Sequence, residues 1–244
     1  YKLNEWNQKI GINSYSSILN TKPNIVLVNE MAFSQSMVDL YSKFQYKGLV
    51  MDKNNIKLAL ESDKLPTFAE GVDQCMMPIL YSDSILFQKV QHFAYGDISM
   101  NDYLTYLKNR INNEELIIPI YTNDAEVFDY RPGRFSEEKP THHEGEWIRI
   151  EKLLRAINLT KKIEFVLPSK ALEIYKNKNE KVVSKIVKAS YPLPVKKQTK
   201  YNIARWAVTG KNDLWINTMC HKIYNHLIKL ESNAVHDWKQ LCEF

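Results

Sequence analysis

Five short apolar runs, separated by helix-like stretches, constrain this chain more than any other feature. They lie at residues 24–28, 47–51, 76–81, 116–121 and 163–167. Their apolar residues follow one another largely without a break, as in strands buried on both faces of a sheet. Helical periodicity fills the gaps. Met37, Leu40, Tyr41 and Phe44 recur at helical spacing after the first run, and Ser36 with Asp39 three residues on reads as a capping box. Further helices are expected near 55–60, 84–92 and 101–111, and at 147–157 with a stripe of Trp147, Ile150, Leu154 and Ile157. This alternation predicts a parallel sheet or barrel. Five strands are too few to close a barrel of the usual kind. The sheet is therefore open, or residues preceding this chain supply the rest. Pro78 and Pro119 each remove a donor, which argues against central pairing at those points.

Past about Tyr175 the pattern changes. Tyr191-Pro192-Leu193-Pro194 is extended and linker-like, and basic residues follow it. A helix near 201–208, a turn at Thr209-Gly210 and a cap at Asp213 come next. The following helix carries Ile216, Met219, Ile223, Leu227 and Leu230 on one face, and a short helix is expected over 235–242. The expected division is 1–175 for the barrel portion and 176–244 for a helical region that adds no strand.

A chain of 244 residues is long enough for one large domain, or one domain and a small one. The net charge of +5 comes with many lysines between 170 and 200, which a solvated face explains. No base-stacking motif accompanies them, so no nucleic-acid partner is expected. No apolar run approaches the about 20 residues of a membrane span, and no membrane partner is expected. Cys75, Cys220 and Cys242 are widely spaced and odd in number, which fits reduced thiols in a cytoplasm. The first residue is Tyr1, and the expectation is a fragment whose start is missing. Neither GxGxxG nor GxxxxGK occurs, which argues against a phosphate loop.

The candidate chemistry lies just past the runs. Glu30 follows the first, Asp52 the second, Ser82 and Asp83 the third, Asp124 and Glu126 the fourth, and Ser169 the fifth. Reacting groups of parallel α/β folds stand at such strand ends, and a pair of carboxylates is what glycosidic chemistry needs. Asp52, Asp83 and Ser169 also read as helix caps or loop residues. Glu30, flanked by Val28, Met31, Ala32 and Phe33, is poorly placed for a solvated loop and needs a partner or a task. His142-His143-Glu144 lacks metal-ligand spacing, and no metal is expected. Tyr130, Phe135 and Trp147 offer faces on which sugars stack, although Trp147 also fits the core stripe of its helix.

Two of these segments resemble a known family. Val28-Asn29-Glu30-Met31-Ala32-Phe33-Ser34 resembles the third conserved stretch of glycoside hydrolase family 57, which carries the catalytic nucleophile. Asn123-Asp124-Ala125-Glu126-Val127-Phe128 resembles the fourth, whose Asp is the general acid/base. The segment Arg205-Trp206-Ala207-Val208-Thr209-Gly210-Lys211-Asn212-Asp213-Leu214 resembles part of the helical region beyond the barrel in one branch of that family. Asn29 stands where Pro or Ala is common, and Asp129 where a Gly usually follows. The resemblance implies an incomplete parallel (β/α)7-type barrel followed by a helical bundle, acting on α-glucans with retention of configuration. Glu30 and Asp124 would be catalytic. Glu126, Asp52, Asp83, Tyr130, Arg131 and Trp147 would bind substrate. No cofactor would be needed, and the missing N-terminal part would complete the barrel. The alternatives are a non-catalytic glycan-binding or regulatory relative, and a metal-dependent polysaccharide deacetylase using His142 or His143.

Overall fold

The computed structural model describes residues 2–28, 33–60, 64–112, 117–120, 128–129, 144–177, 181–190 and 211–232. Three of the expected runs form strands: β1 (Ile25–Leu27), β2 (Gly48–Asp52) and, further along, β4 (Met76–Ser82). Between β2 and β4 lies a strand the pattern does not announce, β3 (Phe68–Glu70). Together with β5 (Val183–Ser184) they make one sheet of order β1-β2-β4-β3-β5. β1, β2 and β4 run parallel, whereas β3 is antiparallel to β4 and β5 parallel to β3.

Pro78 lies in the central strand, against expectation, and the register explains why. The Ile79 N–H donates to Thr67 O at 2.9 Å. The adjacent Phe68–Pro78 pair is then the kind that exchanges no hydrogen bonds. Pairing of β4 with β2 begins only at Ile79. The missing donor therefore falls where no ladder bond is required.

Alternation along the strands divides the sheet into two apolar faces. Leu49 and Met51 of β2 and Met77 and Ile79 of β4 join Phe33, and Val38 and Tyr41 of helix α2 (Gln35–Lys43). On the opposite face, Val50 and Leu80 meet Ala171 and Leu172 of helix α6 (Pro168–Asn177). Gly48 permits that second contact, because a Cβ there would lie 2.5 Å from Leu172 Cδ1. The expected capping box at Ser36 does not form. Helix α2 starts two residues earlier with Ser34 as N-cap, and Asp39 instead receives the Val72 and Asp73 N–H groups and the Cys75 thiol. Burial works against the Asp39 charge, but these donors outweigh it and hold its carboxyl below the usual range.

A further core gathers α3 (Ser84–Tyr95), α4 (Met100–Asn112) and α5 (Glu146–Leu159) around Phe87, Phe93, Tyr103, Phe128, Leu153 and Ile157. The Arg149 guanidinium bonds Phe93 O at 2.8 Å and lies 4.7 Å from the Phe93 ring centre. Helix α1 (Lys2–Leu19), which the sequence pattern does not announce, buries none of its residues.

Several expectations change. The stretch at 55–60 is not an α-helix but two short 3₁₀ turns, Lys53–Asn55 and Lys57–Ala59. Residues 117–120 form no strand; Ile117 packs on the α6 side of the sheet and Ile118 and Ile120 on the α3–α5 core. Residues 163–167 form none either. Leu167 is 74% exposed, and Pro168 opens α6 directly, which holds its predecessor extended without a ladder partner. The expectation that no strand follows Tyr175 fails. Val182 O accepts from Thr67 N at 2.8 Å, β5 pairs with β3, and Ile186 is fully buried in the sheet core. The compact units accordingly divide as Tyr1–Ser190 and Tyr191–Phe244, not at Tyr175. Among the described residues the sheet is open, with β1 and β5 at its edges, and no closed barrel forms. In the second unit, the described residues contain helix α7 (Asp213–Ser232), with Asp213 in its first turn rather than capping it. The helices expected at 201–208 and 235–242 lie outside the described residues.

Candidate functional site

The parallel direction of β1, β2 and β4 brings their C-terminal ends to one edge of the sheet, where the sequence places its acidic residues. Glu30 itself lies outside the described residues, but its flanks do not. Val28 is 8% exposed and donates its N–H to Val50 O at 2.9 Å, and Phe33 is 1% exposed. Both belong to the core cluster on the α2 face.

The second acidic segment is likewise flanked in the sequence by buried residues. Asp124, Glu126, Tyr130 and Arg131 lie outside the described residues, while Ile120 is 8% and Phe128 0% exposed, both in the α3–α5 core. Phe128 packs against Phe87, Tyr95 and Trp147. Asp129 then locks the segment to α5. Its carboxylate accepts from the Glu146 and Trp147 N–H groups at 3.0 Å each, and its own N–H donates to the Glu146 carboxylate at 2.8 Å. This satisfies the free N–H groups of a helix whose N-cap, Gly145, has no side chain to do so. Asp129 sits at φ 51, the left-handed region, and this is the position where the resembled family has its Gly. The sequence pattern missed both Asp129 and Glu146. The signal was present as a carboxylate replacing a Gly, ahead of a helix without a capping side chain.

Asp52 and Asp83, expected to bind substrate, are both engaged by hydrogen bonds within the fold. Asp52 Oδ1 accepts from Asn54 N at 2.8 Å and Asn54 Nδ2 at 2.9 Å. Its Oδ2 accepts from Ser84 N at 2.9 Å and from the Ser84 hydroxyl. Asp83 Oδ1 caps α3 through Ile85 N at 3.0 Å and Leu86 N at 3.2 Å. Its Oδ2 accepts from Arg110 at 2.9 Å and from Lys53 Nζ. Each carboxylate thus receives two donors on each oxygen, and a carboxylate has about four lone-pair sites. Burial alone would raise the Asp83 pKa, but Lys53, the Leu86 N–H and Arg110 outweigh it and hold the carboxyl below its ordinary value.

Trp147 is half-buried, with its ring edge-on to Phe128 at 5.6 Å. It is packed at the margin of the core, as its helix stripe suggests, rather than presented as an open stacking face. His142 and His143 lie outside the described residues. Among the described residues no three His, Cys, Asp or Glu side chains gather as a metal site.

A sequence profile described as Glycosyl hydrolase family 57 matches residues 7–188, well over half of the chain. The chain belongs to glycosyl hydrolase family 57. Both acidic segments fall inside the matched residues; the segment at 205–214 lies beyond them. Among solved structures, the family 57 chain resembles the crystal structure of 4-alpha-glucanotransferase from Thermococcus litoralis, with a TM-score of 0.54 at 15% identity. That likeness covers 92% of this chain and 32% of the other, so the chain spans about a third of its neighbour's length. At this identity the likeness bears on the fold alone. No curated protein sequence matches the chain.

Proposed function

We propose that the chain carries the catalytic carboxylates of a retaining glycoside hydrolase or glycosyl-transferring enzyme acting on α-glucans. Glu30 attacks the anomeric carbon and forms a glycosyl-enzyme as the glycosidic bond breaks. Asp124 protonates the departing oxygen, then takes a proton from the acceptor as that acceptor displaces Glu30. Water as acceptor gives hydrolysis; a sugar hydroxyl gives transfer. Retention calls for carboxyl groups about 5–5.5 Å apart. Glu126 supports Asp124 or binds a sugar hydroxyl, and Tyr130 and Arg131 contact the sugar.

The observation that carries this reading is the burial of the residues that flank both acidic segments in the sequence. Val28 and Phe33, which flank Glu30 in the sequence, are buried, and so are Ile120 and Phe128, which flank Asp124. Catalytic groups need restraint, because a small misplacement costs heavily in rate. The family membership and the glucan-acting structural neighbour point the same way. Further polypeptide alongside β1 is proposed to complete the working enzyme.

The two carboxylates are separable by experiment in the complete enzyme. Glu30→Gln removes the nucleophile and should abolish turnover of every substrate. Asp124→Asn should lose about 10²–10⁴-fold on starch, yet release a burst of aryl leaving group from an activated aryl glycoside, which needs no protonation. Azide should partly restore its turnover. Full starch activity in Asp124→Asn would refute the assignment of the acid.

A further inference from the structure

Helix α1 and the end of α2 enclose a shallow cavity of about 180 Å³. Lys9, Ile12 and Asn13 come from α1, Lys22 from the link to β1, and Lys43, Phe44 and Gln45 from the end of α2. Lys43 Nζ pairs with Glu5 at 2.5 Å. Lys22 Nζ donates to the Gln45 carboxamide oxygen at 3.2 Å. Among the described residues, no carboxylate lies within ion-pair distance of Lys9 or Lys22. Lys9 and Lys22 therefore bring positive charge to the cavity without an ion-pair partner among the described residues, and Lys43 with Glu5 adds an ion pair at its rim. Like charges gathered on a concave surface attract and focus on an anion.

The remaining lining is not that of a simple anion site. Asn13 and Gln45 offer carboxamides that both donate and accept, the capacity that matches a sugar hydroxyl. Ile12 and Phe44 add apolar surface suited to the C–H face of a sugar ring. Gln45 is held at φ 64, a left-handed conformation that a residue with a Cβ adopts at a cost. The Lys47 N–H donates to Asn24 O at 2.7 Å, tying together the links that lead into β1 and β2. Lys22 and Gln45 both precede their strands, so the cavity lies at the N-terminal edge of the sheet. Val28, the last described residue before Glu30, follows β1 at the opposite edge.

We propose that this cavity binds a sugar phosphate, remote from the catalytic carboxylates. Lys9, Lys22 and Lys43 receive the phosphoryl group, the Asn13 and Gln45 carboxamides pair with hydroxyls, and Phe44 and Ile12 face the ring.

Calorimetric titration of the full chain at low ionic strength tests this without reference to turnover, so its failure leaves the assignment of Glu30 untouched. Glucose 6-phosphate should bind at least about tenfold more tightly than inorganic phosphate, glucose itself should give no heat, and added salt should weaken the binding. The double variant K9Q/K22Q should lose about tenfold or more, whereas K185Q, whose lysine pairs with Glu70 elsewhere, should bind as the parent does. N13A should weaken glucose 6-phosphate while leaving phosphate unchanged, and, as a change on an exposed helix face, it leaves folding intact for that comparison. Equal affinity for phosphate and glucose 6-phosphate, or undiminished binding by K9Q/K22Q, would overturn the proposal. So would the absence of heat with millimolar glucose 6-phosphate.

Discussion

Asp129 meets two demands at once: a left-handed backbone and the capping of α5. Asp129→Gly relieves the backbone but removes the cap, which is worth about 1 kcal/mol. Asp129→Ala loses the cap and leaves a Cβ in the left-handed region, a further cost of about 1–2 kcal/mol. Urea unfolding should therefore place Ala below both the parent and Gly; equal midpoints for the two variants would mean the backbone demand is absent. Asp83 makes a prediction in pH. Its folded pKa is depressed, so its stabilising contribution is present above the unfolded value of about 3.9 and disappears as pH falls through the lower folded value. Asp83→Asn should lower the thermal midpoint at neutral pH and flatten its decline on acidification below about pH 4. An unchanged acid limb would show that other carboxylates dominate it. The capping role of Asp83 was legible because the residue immediately precedes a helical pattern. The partners of Asp39 were not legible, because they lie on a loop more than thirty residues further along.

Among the elements, length alone did not decide legibility, because α1, with 18 residues but none buried, was missed. β1, β2, β4, α3, α4, α5 and α7 all appear near their expected places. β3 and β5 are three and two residues long, and their strand character comes from neighbours rather than from pattern. The run at 163–167 failed for the converse reason: it is apolar, but no strand lies beside it. Helix α6 was hidden behind that run, and its packing rests on one glycine. Leu172→Ala should cost about 2–5 kcal/mol. Gly48→Ala in the parent forces Leu172 aside, whereas in Leu172→Ala the added methyl finds space. A double-mutant cycle in guanidinium unfolding should then show a favourable coupling between the two substitutions of roughly 0.5–3 kcal/mol. Strict additivity would mean that α6 does not sit on Gly48.

At the scale of the whole molecule, the decisive feature is an edge. β1 is paired on one side only among the described residues, and Leu27 within it is 60% exposed. Parallel strands are ordinarily covered on both faces and flanked on both sides, and an open apolar edge invites pairing with another chain. This chain corresponds to 32% of the length of its structural neighbour. The composition and periodicity of the sequence could suggest a parallel sheet, but not which strand stands at its edge, because an edge is set by neighbours rather than by a strand's own residues. The proposal that further polypeptide pairs with β1 makes a local prediction. The Val28 N–H points at β2, where it bonds Val50 O, and the alternation of a strand turns the Leu27 N–H the other way. In the chain alone the Leu27 amide should exchange with deuterium as a free edge does, while the Val28 amide is protected. In the complete enzyme both should be protected. Leu27→Lys should leave the chain alone folded and more soluble, because it charges an open edge, while destabilising the complete enzyme by burying an unpaired charge. If the Leu27 amide exchanges equally fast in both, no strand joins β1, and the proposal that preceding polypeptide completes the sheet fails.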